Sequence, residues 1–105
     1  MAQFDVFPNM DDESAPVVPY VLDIQSDFLD RLSTCVVIPL AIPEVLDALP
    51  ILRLNPSLTI DGRNLIALTQ DMAPVPRRLL RRPVANLSSQ REEILAALDF
   101  LFTGF

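Results

Sequence analysis

Short alternating or wholly apolar runs, separated by prolines and polar turns, fill most of this chain, and a three-and-four spacing of apolar residues takes over at its end. Gln3 to Phe7 puts Phe4 and Val6 on one side and stops at Pro8, which predicts a short strand at a sheet edge. Pro8 to Pro19 is polar, acidic and turn-rich, a loop with Met10 as its one large apolar residue. Tyr20 to Gln25 alternates again and closes at Ser26-Asp27, and Cys35 to Leu40 is a continuous, β-branched run that reads as a buried strand stopped by Pro43. Glu44 to Leu49 fits a helical turn between two prolines, and Ile51 to Leu54 fits another strand. Leu58 to Leu68 places Asp61-Gly62 between two apolar-rich runs, the signature of a tight type I′ hairpin. Asp71 to Pro76 reads as an extended connection fixed by prolines, and Arg77 to Arg82 as a short strand or turn.

Ser89-Gln90-Arg91-Glu92 has the form of a capping box, so a helix is predicted to begin there. Its apolar stripe is Ile94, Leu95, Leu98, Leu101, Phe102 and Phe105, with Arg91, Glu92 and Asp99 elsewhere. Gly104 suits a position where the helix unwinds and a backbone can approach a partner closely. The stripe either seals the core or makes an interface. Five or six short strands followed by one helix predict a mainly β, α+β fold: a small barrel or sandwich with a helix packed on it, as one domain over residues 1–105.

Composition narrows the function. Half the residues are hydrophobic, an excess for so small a domain that favours self-association. A net charge of −6, with eight arginines and no lysine or histidine, counts against direct binding of nucleic acid. The charges are segregated. Seven acidic residues precede Arg31, the first basic one, whereas Arg77, Arg78, Arg81 and Arg82 cluster late; the cluster is read as pairing within or between subunits. The single Cys35 lies in an apolar run and reads as a buried thiol in a reducing compartment. The N-terminus lacks the form of a signal peptide, and the longest charge-free stretch, Leu32 to Pro43, has 12 residues, short of the roughly 20 that span a bilayer. The expectation is a cytoplasmic protein with no membrane partner.

Catalytic chemistry has little to work with. Without histidine, and with one cysteine, neither the usual metal sets nor a Ser-His or Cys-His nucleophile pair can be assembled. The acidic pairs Asp11-Asp12, Asp27-Asp30 and Glu92-Glu93 are of a kind that arises by chance in acidic chains. The only glycines, Gly62 and Gly104, make no phosphate-binding loop, so no cofactor is expected. The terminal helix as a protein-binding surface stands above this background.

Several blocks then agree with one known pattern. Gln3-Phe4, Asp23-Ile24-Gln25-Ser26-Asp27, Val37-Ile38-Pro39-Leu40-Ala41, Asp71-Met72-Ala73 with Val75-Pro76, and a terminal helix ending in Gly104 plus one apolar residue resemble the CcdB toxin family. Arg53-Leu54-Asn55-Pro56 and Leu98-Asp99-Phe100 resemble its chromosomal branch. The resemblance implies a homodimer with an SH3-like β-barrel and a small additional sheet. It also implies a non-enzymatic toxin of a type II toxin–antitoxin system that wedges into the A subunit of DNA gyrase and traps the cleaved gyrase–DNA complex. By the same resemblance Gln3, Phe4, Ser26, Phe28, Asp99, Thr103, Gly104 and Phe105 would face gyrase, and Asn9, Met10, Asp11, Asp12, Glu13 and Ser14 would face a cognate antitoxin. Two features depart from the family. Thr103 stands where plasmid-type members carry a tryptophan, and the loop that is basic in relatives reads Asp11-Asp12-Glu13 here. The competing readings are a ribonuclease toxin on a similar barrel, related to the MazF family, and a binding-only relative without toxicity.

Overall fold

The sheet is organised around one long strand. The computed structural model describes residues 1–46 and 50–104, and its elements are β1 (Asp5–Pro8), β2 (Tyr20–Asp23), β3 (Thr34–Ala41), β4 (Ser57–Ile60), β5 (Arg63–Ala67), β6 (Ala73–Pro76), β7 (Ala85–Asn86) and α1 (Arg91–Thr103). All strand pairs are antiparallel, in the order β4-β5-β3-β2-β1-β7, with β6 branching from β3. This is the predicted α+β class: a mainly β, barrel-like sheet with one C-terminal helix and β6 as a small wing.

Strand β3 serves β2 along one edge from Val37 to Leu40, while the other edge is divided, Thr34 to Val37 with β6 and Leu40 to Ala41 with β5. Pro39 falls between those two partners. Its carbonyl accepts from Leu68 N at 2.9 Å, so its missing N–H faces the gap where β6 has left and β5 has not begun.

One face of the sheet buries Val6, Leu22, Ile38, Leu40, Leu58 and Leu65 with Ile94 of the helix, flanked by Leu95 and Leu98. Each such side chain contributes about 1.5–3 kcal/mol by leaving water. The opposite face holds a smaller cluster, Phe7, Cys35, Val37 and Leu80, with Val21 and Val75 half-buried over it.

The hairpin forms as predicted, with Asp61 at φ 51° and Gly62 at φ 77°, the paired left-handed conformations of a type I′ turn. The chain also departs from the sequence reading at definite places. Strand β1 is no edge, because β7 pairs with its far side through Asp5–Asn86 and Val6–Ala85. The segment Asp71 to Pro76 is not a bare connection: residues 73–76 pair with β3, with Pro76 opposite Thr34 and Pro74 opposite Val36. Ile51 to Leu54 forms a turn instead of a strand, because Asn55 folds it back; Asn55 N donates to Ile51 O at 2.6 Å and Asn55 Oδ1 accepts from Ile51 N at 3.1 Å. The expected turn from Glu44 to Leu49 is a 3-10 turn over Pro43–Val45, and residues 47–49 lie outside the described residues. Arg77–Leu79 is likewise a 3-10 turn.

The capping box does not form either. Ser88–Gln90 makes a 3-10 turn ahead of the helix, begun by Asn86 Oδ1 accepting from Ser88 N at 2.9 Å. Gln90 then sits at the N-cap and spends its amide elsewhere: it accepts from Thr59 N and donates to Thr59 O, both at 3.0 Å. That side chain pairs with the free edge of β4 as a neighbouring strand would, and so fastens the start of the helix to the sheet. Along the helix, Ile94 and Ala97 are buried but Phe102 is 71% exposed, so the predicted stripe leaves the core before the helix ends.

Asn55 is a buried polar side chain with three partners, donating to Ala67 O at 3.1 Å and Gln70 Oε1 at 2.7 Å besides accepting from Ile51. Asn55→Ala leaves these groups without partners and is expected to cost about 2–4 kcal/mol, read as a lowered urea midpoint at unchanged m-value.

Candidate functional site

The residues predicted to meet gyrase divide into two groups. The first is built where the N-terminus meets the segment after β2. Phe4 N donates to Asp23 O at 2.7 Å, Gln3 N to Asp27 Oδ1 at 2.8 Å and Gln3 Nε2 to Ile24 O at 3.2 Å, which fixes Gln3 beside Ser26 and Asp27. Ser26 N-caps the following 3-10 turn, its hydroxyl accepting from Phe28 N at 3.2 Å, and the turn holds Phe28 outward at 97% exposure. Nothing in the local pattern marks what steadies this turn from below. Arg77 donates through Nε to Leu32 O at 2.5 Å and through a terminal nitrogen to Leu29 O at 2.9 Å, while Arg77 N donates to Ser33 O. Gln25 spans the same segment, accepting from Val36 N at 3.0 Å and donating to Thr34 O at 3.3 Å. The sequence reads Arg77 as one of a pairing cluster; in the structure its guanidinium donates to carbonyls of the loop that displays Phe28.

Phe4 stands apart from its group. It is 3% exposed, lies in the core with φ 72°, and carries the Arg91 guanidinium 5.7 Å from its ring centroid. The Phe4 ring therefore packs in the core of this chain and leaves the surface of the group to Gln3, Ser26 and Phe28.

The second group is the last turn of α1. Thr103 Oγ1 donates to Asp99 O at 2.7 Å, and Gly104 takes the left-handed cap at φ 79°, ψ 13°, its N–H donating to Phe100 O at 2.9 Å. Asp99, Thr103 and Gly104 are all exposed, and Phe105 lies outside the described residues. The Arg53 guanidinium stands 4.8 Å from the Phe100 ring centroid, a cation–π contact between the turn before β4 and this end of the helix. Among the described residues no hydrogen bond links the two groups.

The acidic loop is a structure in its own right. Asn9 Nδ2 donates to Ser14 Oγ at 2.9 Å and Val18 O at 2.8 Å, and Asn9 Oδ1 accepts from Asp11 N at 3.0 Å. Asp11 in turn accepts from Ser14 Oγ at 2.8 Å. Asn9, Asp11 and Ser14 therefore hold the loop, along which Asp11 itself stays exposed with Met10, Asp12 and Glu13.

Beneath the surface around Gln3 and Phe28 lies a buried pair that sequence reasoning reached only in half. Cys35 Sγ donates to Asp23 Oδ1 at 3.1 Å, and that oxygen also accepts from Gln25 N at 2.9 Å. Burial pushes the Asp23 carboxyl above its ordinary 3.8, against the lowering effect of its hydrogen bonds and of Arg77. Burial, together with the hydrogen bond and charge of Asp23, pushes the Cys35 thiol up to about 12. The thiol is thus a neutral structural donor.

The family model described as CcdB protein matches residues 3–104, which takes in both surfaces and the loop. The chain belongs to the CcdB family. The family match supports a toxin of a toxin–antitoxin system. No helix among the described residues is long and apolar enough to cross a membrane.

The buried pair gives two measurable consequences. At pH 8 a thiolate-specific reagent such as Ellman's is expected to modify Cys35 at least about a hundredfold more slowly in the native protein than in guanidinium. For Asp23, the unfolded chain releases its proton first as pH rises above 3.8, so the carboxyl costs nothing below that pH and destabilises the fold progressively above it. Asp23→Asn keeps an acceptor oxygen, and its urea midpoint is expected to gain on that of the wild type between pH 3.5 and 7.

Proposed function

We infer that this protein poisons DNA gyrase as a homodimer, engaging the gyrase A subunit through the end of α1 and trapping the DNA-cleaved state. The observation that carries this reading is the end of α1, where Asp99 and Phe102 to Gly104 are exposed, on a chain whose family match runs through Gly104. A two-fold axis that brought two such ends together would present one wedge to a two-fold partner. Gln3, Ser26 and Phe28 extend the contact; Phe28 offers nearly a whole aromatic ring. Phe105 belongs to the wedge on the sequence alone.

Thr103 favours a second reading, a binding relative without toxicity, since a threonine supplies far less apolar area than the tryptophan of plasmid-type members. The ribonuclease reading has no support from the family match. Neutralisation is assigned to a cognate antitoxin contacting the loop from Asn9 to Ser14, and the exposed Asp12 and Glu13 call for basic residues on that partner.

A gyrase cleavage assay on supercoiled DNA decides between poison and non-toxic relative. ATP-dependent accumulation of cleaved DNA is expected with the full chain and not with a chain lacking residues 103–105 whose circular dichroism is unchanged. No cleavage from folded, dimeric protein would overturn the proposal. An antitoxin peptide matched to a basic loop is expected to bind this protein weakly; nanomolar affinity would remove the role given to Asp12 and Glu13.

A further inference from the structure

The two faces of the sheet are covered unequally. Helix α1 lies over the larger core, whereas among the described residues the face that carries Phe7, Val37 and Leu80 has the acidic loop and the Arg77–Leu79 turn at its margins. Between those margins runs a trough of three clefts. The first lies over Val37 and Pro39 and is closed by Asp71; it shares Asn9, Asp11, Val21 and Val75 with the second. The second shares Pro8 and Met10 with the third, whose remaining walls are Arg81 and Arg82. Strand pairing puts the floor on one face, since Phe7 pairs with Val21, Val21 with Pro39 and Cys35 with Val75.

The trough is apolar along its floor and charged with opposite signs at its ends. Asp71 closes one end, and Asp11 rims the first two clefts, its carboxylate held by Ser14 Oγ at 2.8 Å. Arg81 and Arg82 close the other end, with Arg82 at φ 57°, a left-handed turn that carries the chain on toward β7. Met10 and Leu79 are 58% and 40% exposed on its flanks. An unpartnered apolar floor supplies affinity, and fixed charges of opposite sign at its ends supply register, because a segment laid the wrong way meets like charge at both ends.

We propose that this trough docks an extended segment of a partner protein, with an apolar middle, basic residues against Asp11 and Asp71, and acidic residues against Arg81 and Arg82. The proposal rests on the reading of the acidic loop as the antitoxin's contact and adds the chemistry that the antitoxin must carry. The loop charges alone ask only for a basic partner; the arginines at the far end ask for a partner of both signs, in one order along the trough.

The test uses the full chain and labelled peptides of about twelve residues sharing one Val- and Leu-rich middle. Two carry Lys-Lys at one end and Glu-Glu at the other, in the two chain orders; two controls carry Lys-Lys or Glu-Glu at both ends. In fluorescence anisotropy the better mixed peptide is expected to bind at least about tenfold tighter than either control. Replacing both arginines, Arg81→Glu with Arg82→Glu, is expected to weaken that peptide about tenfold and to make the peptide with lysines at both ends the preferred one, at unchanged melting temperature. Equal binding of mixed and uniform peptides, no binding, or indifference to the double reversal would each overturn the proposal. The wild-type cleavage assay run alongside separates the readings: a failed peptide experiment with gyrase cleavage intact removes the trough alone, and peptide selectivity without cleavage removes the gyrase target alone.

Discussion

Strand β3 is hydrogen-bonded along both edges, to β2 on one side and to β6 and β5 in succession on the other, and the rest of the fold takes its register from that arrangement. A one-residue slip in β3 would turn Cys35 and Val37 away from the smaller core, turn Ile38 and Leu40 away from the larger one, and move Pro39 out of the only gap that excuses its missing donor. The register also passes outward. By fixing β2 it fixes Asp23, whose carbonyl receives Phe4 N and whose carboxyl receives Cys35 and Gln25 N. The surface around Gln3, Ser26 and Phe28 is therefore assembled on the end of a core strand pair and held from below by Arg77.

How much of this the sequence displays depends on whether the physics is local. The hairpin at Asp61-Gly62, the apolar run of β3 and the left-handed cap at Gly104 are each decided by a few adjacent residues, and each is legible. The pairing of β6 is not, because two prolines argue against a strand. The register removes the objection: Val75 lies opposite Cys35, and Pro74 and Pro76 fall at the alternate positions, where a β-strand's N–H points away from its partner. The false capping box has a similar origin. Ser89 and Glu92 have the right spacing, but Asn86 starts a tighter turn one residue earlier and Gln90 is drawn to Thr59, thirty-one residues away in sequence. Such long-range bonds leave no local mark.

The candidate surfaces divide along the same line. The family resemblance selects Phe28 and Thr103, yet it cannot distinguish an exposed phenylalanine from a buried one. Phe28 is 97% exposed and Phe4 is 3% exposed, although the family resemblance assigns both to one surface. The difference arises because Phe4 adopts a positive φ that lets its N–H reach Asp23 while its ring turns inward beneath Arg91. In the loop, likewise, the acidic residues look equivalent in sequence, and only the Asn9–Asp11–Ser14 bonds separate the one that builds the loop from the two that project from it.

Charge segregation acquires a use once the two faces of the sheet are distinguished. On a chain of net charge −6, long-range electrostatics would favour any basic partner, which is a poor basis for choosing one. Arg81 and Arg82 at the end of a trough whose other end is acidic change that: a uniformly basic segment gains at Asp11 and Asp71 and loses at the arginines. Affinity then comes from the apolar floor, common to any greasy peptide, whereas discrimination comes from the order of signs. The arrangement spends the arginine cluster unevenly, with Arg77 turned inward to hold the Phe28 loop and the later pair left to face the trough. A run that looks uniform in sequence is thereby divided between supporting one surface and selecting the occupant of another.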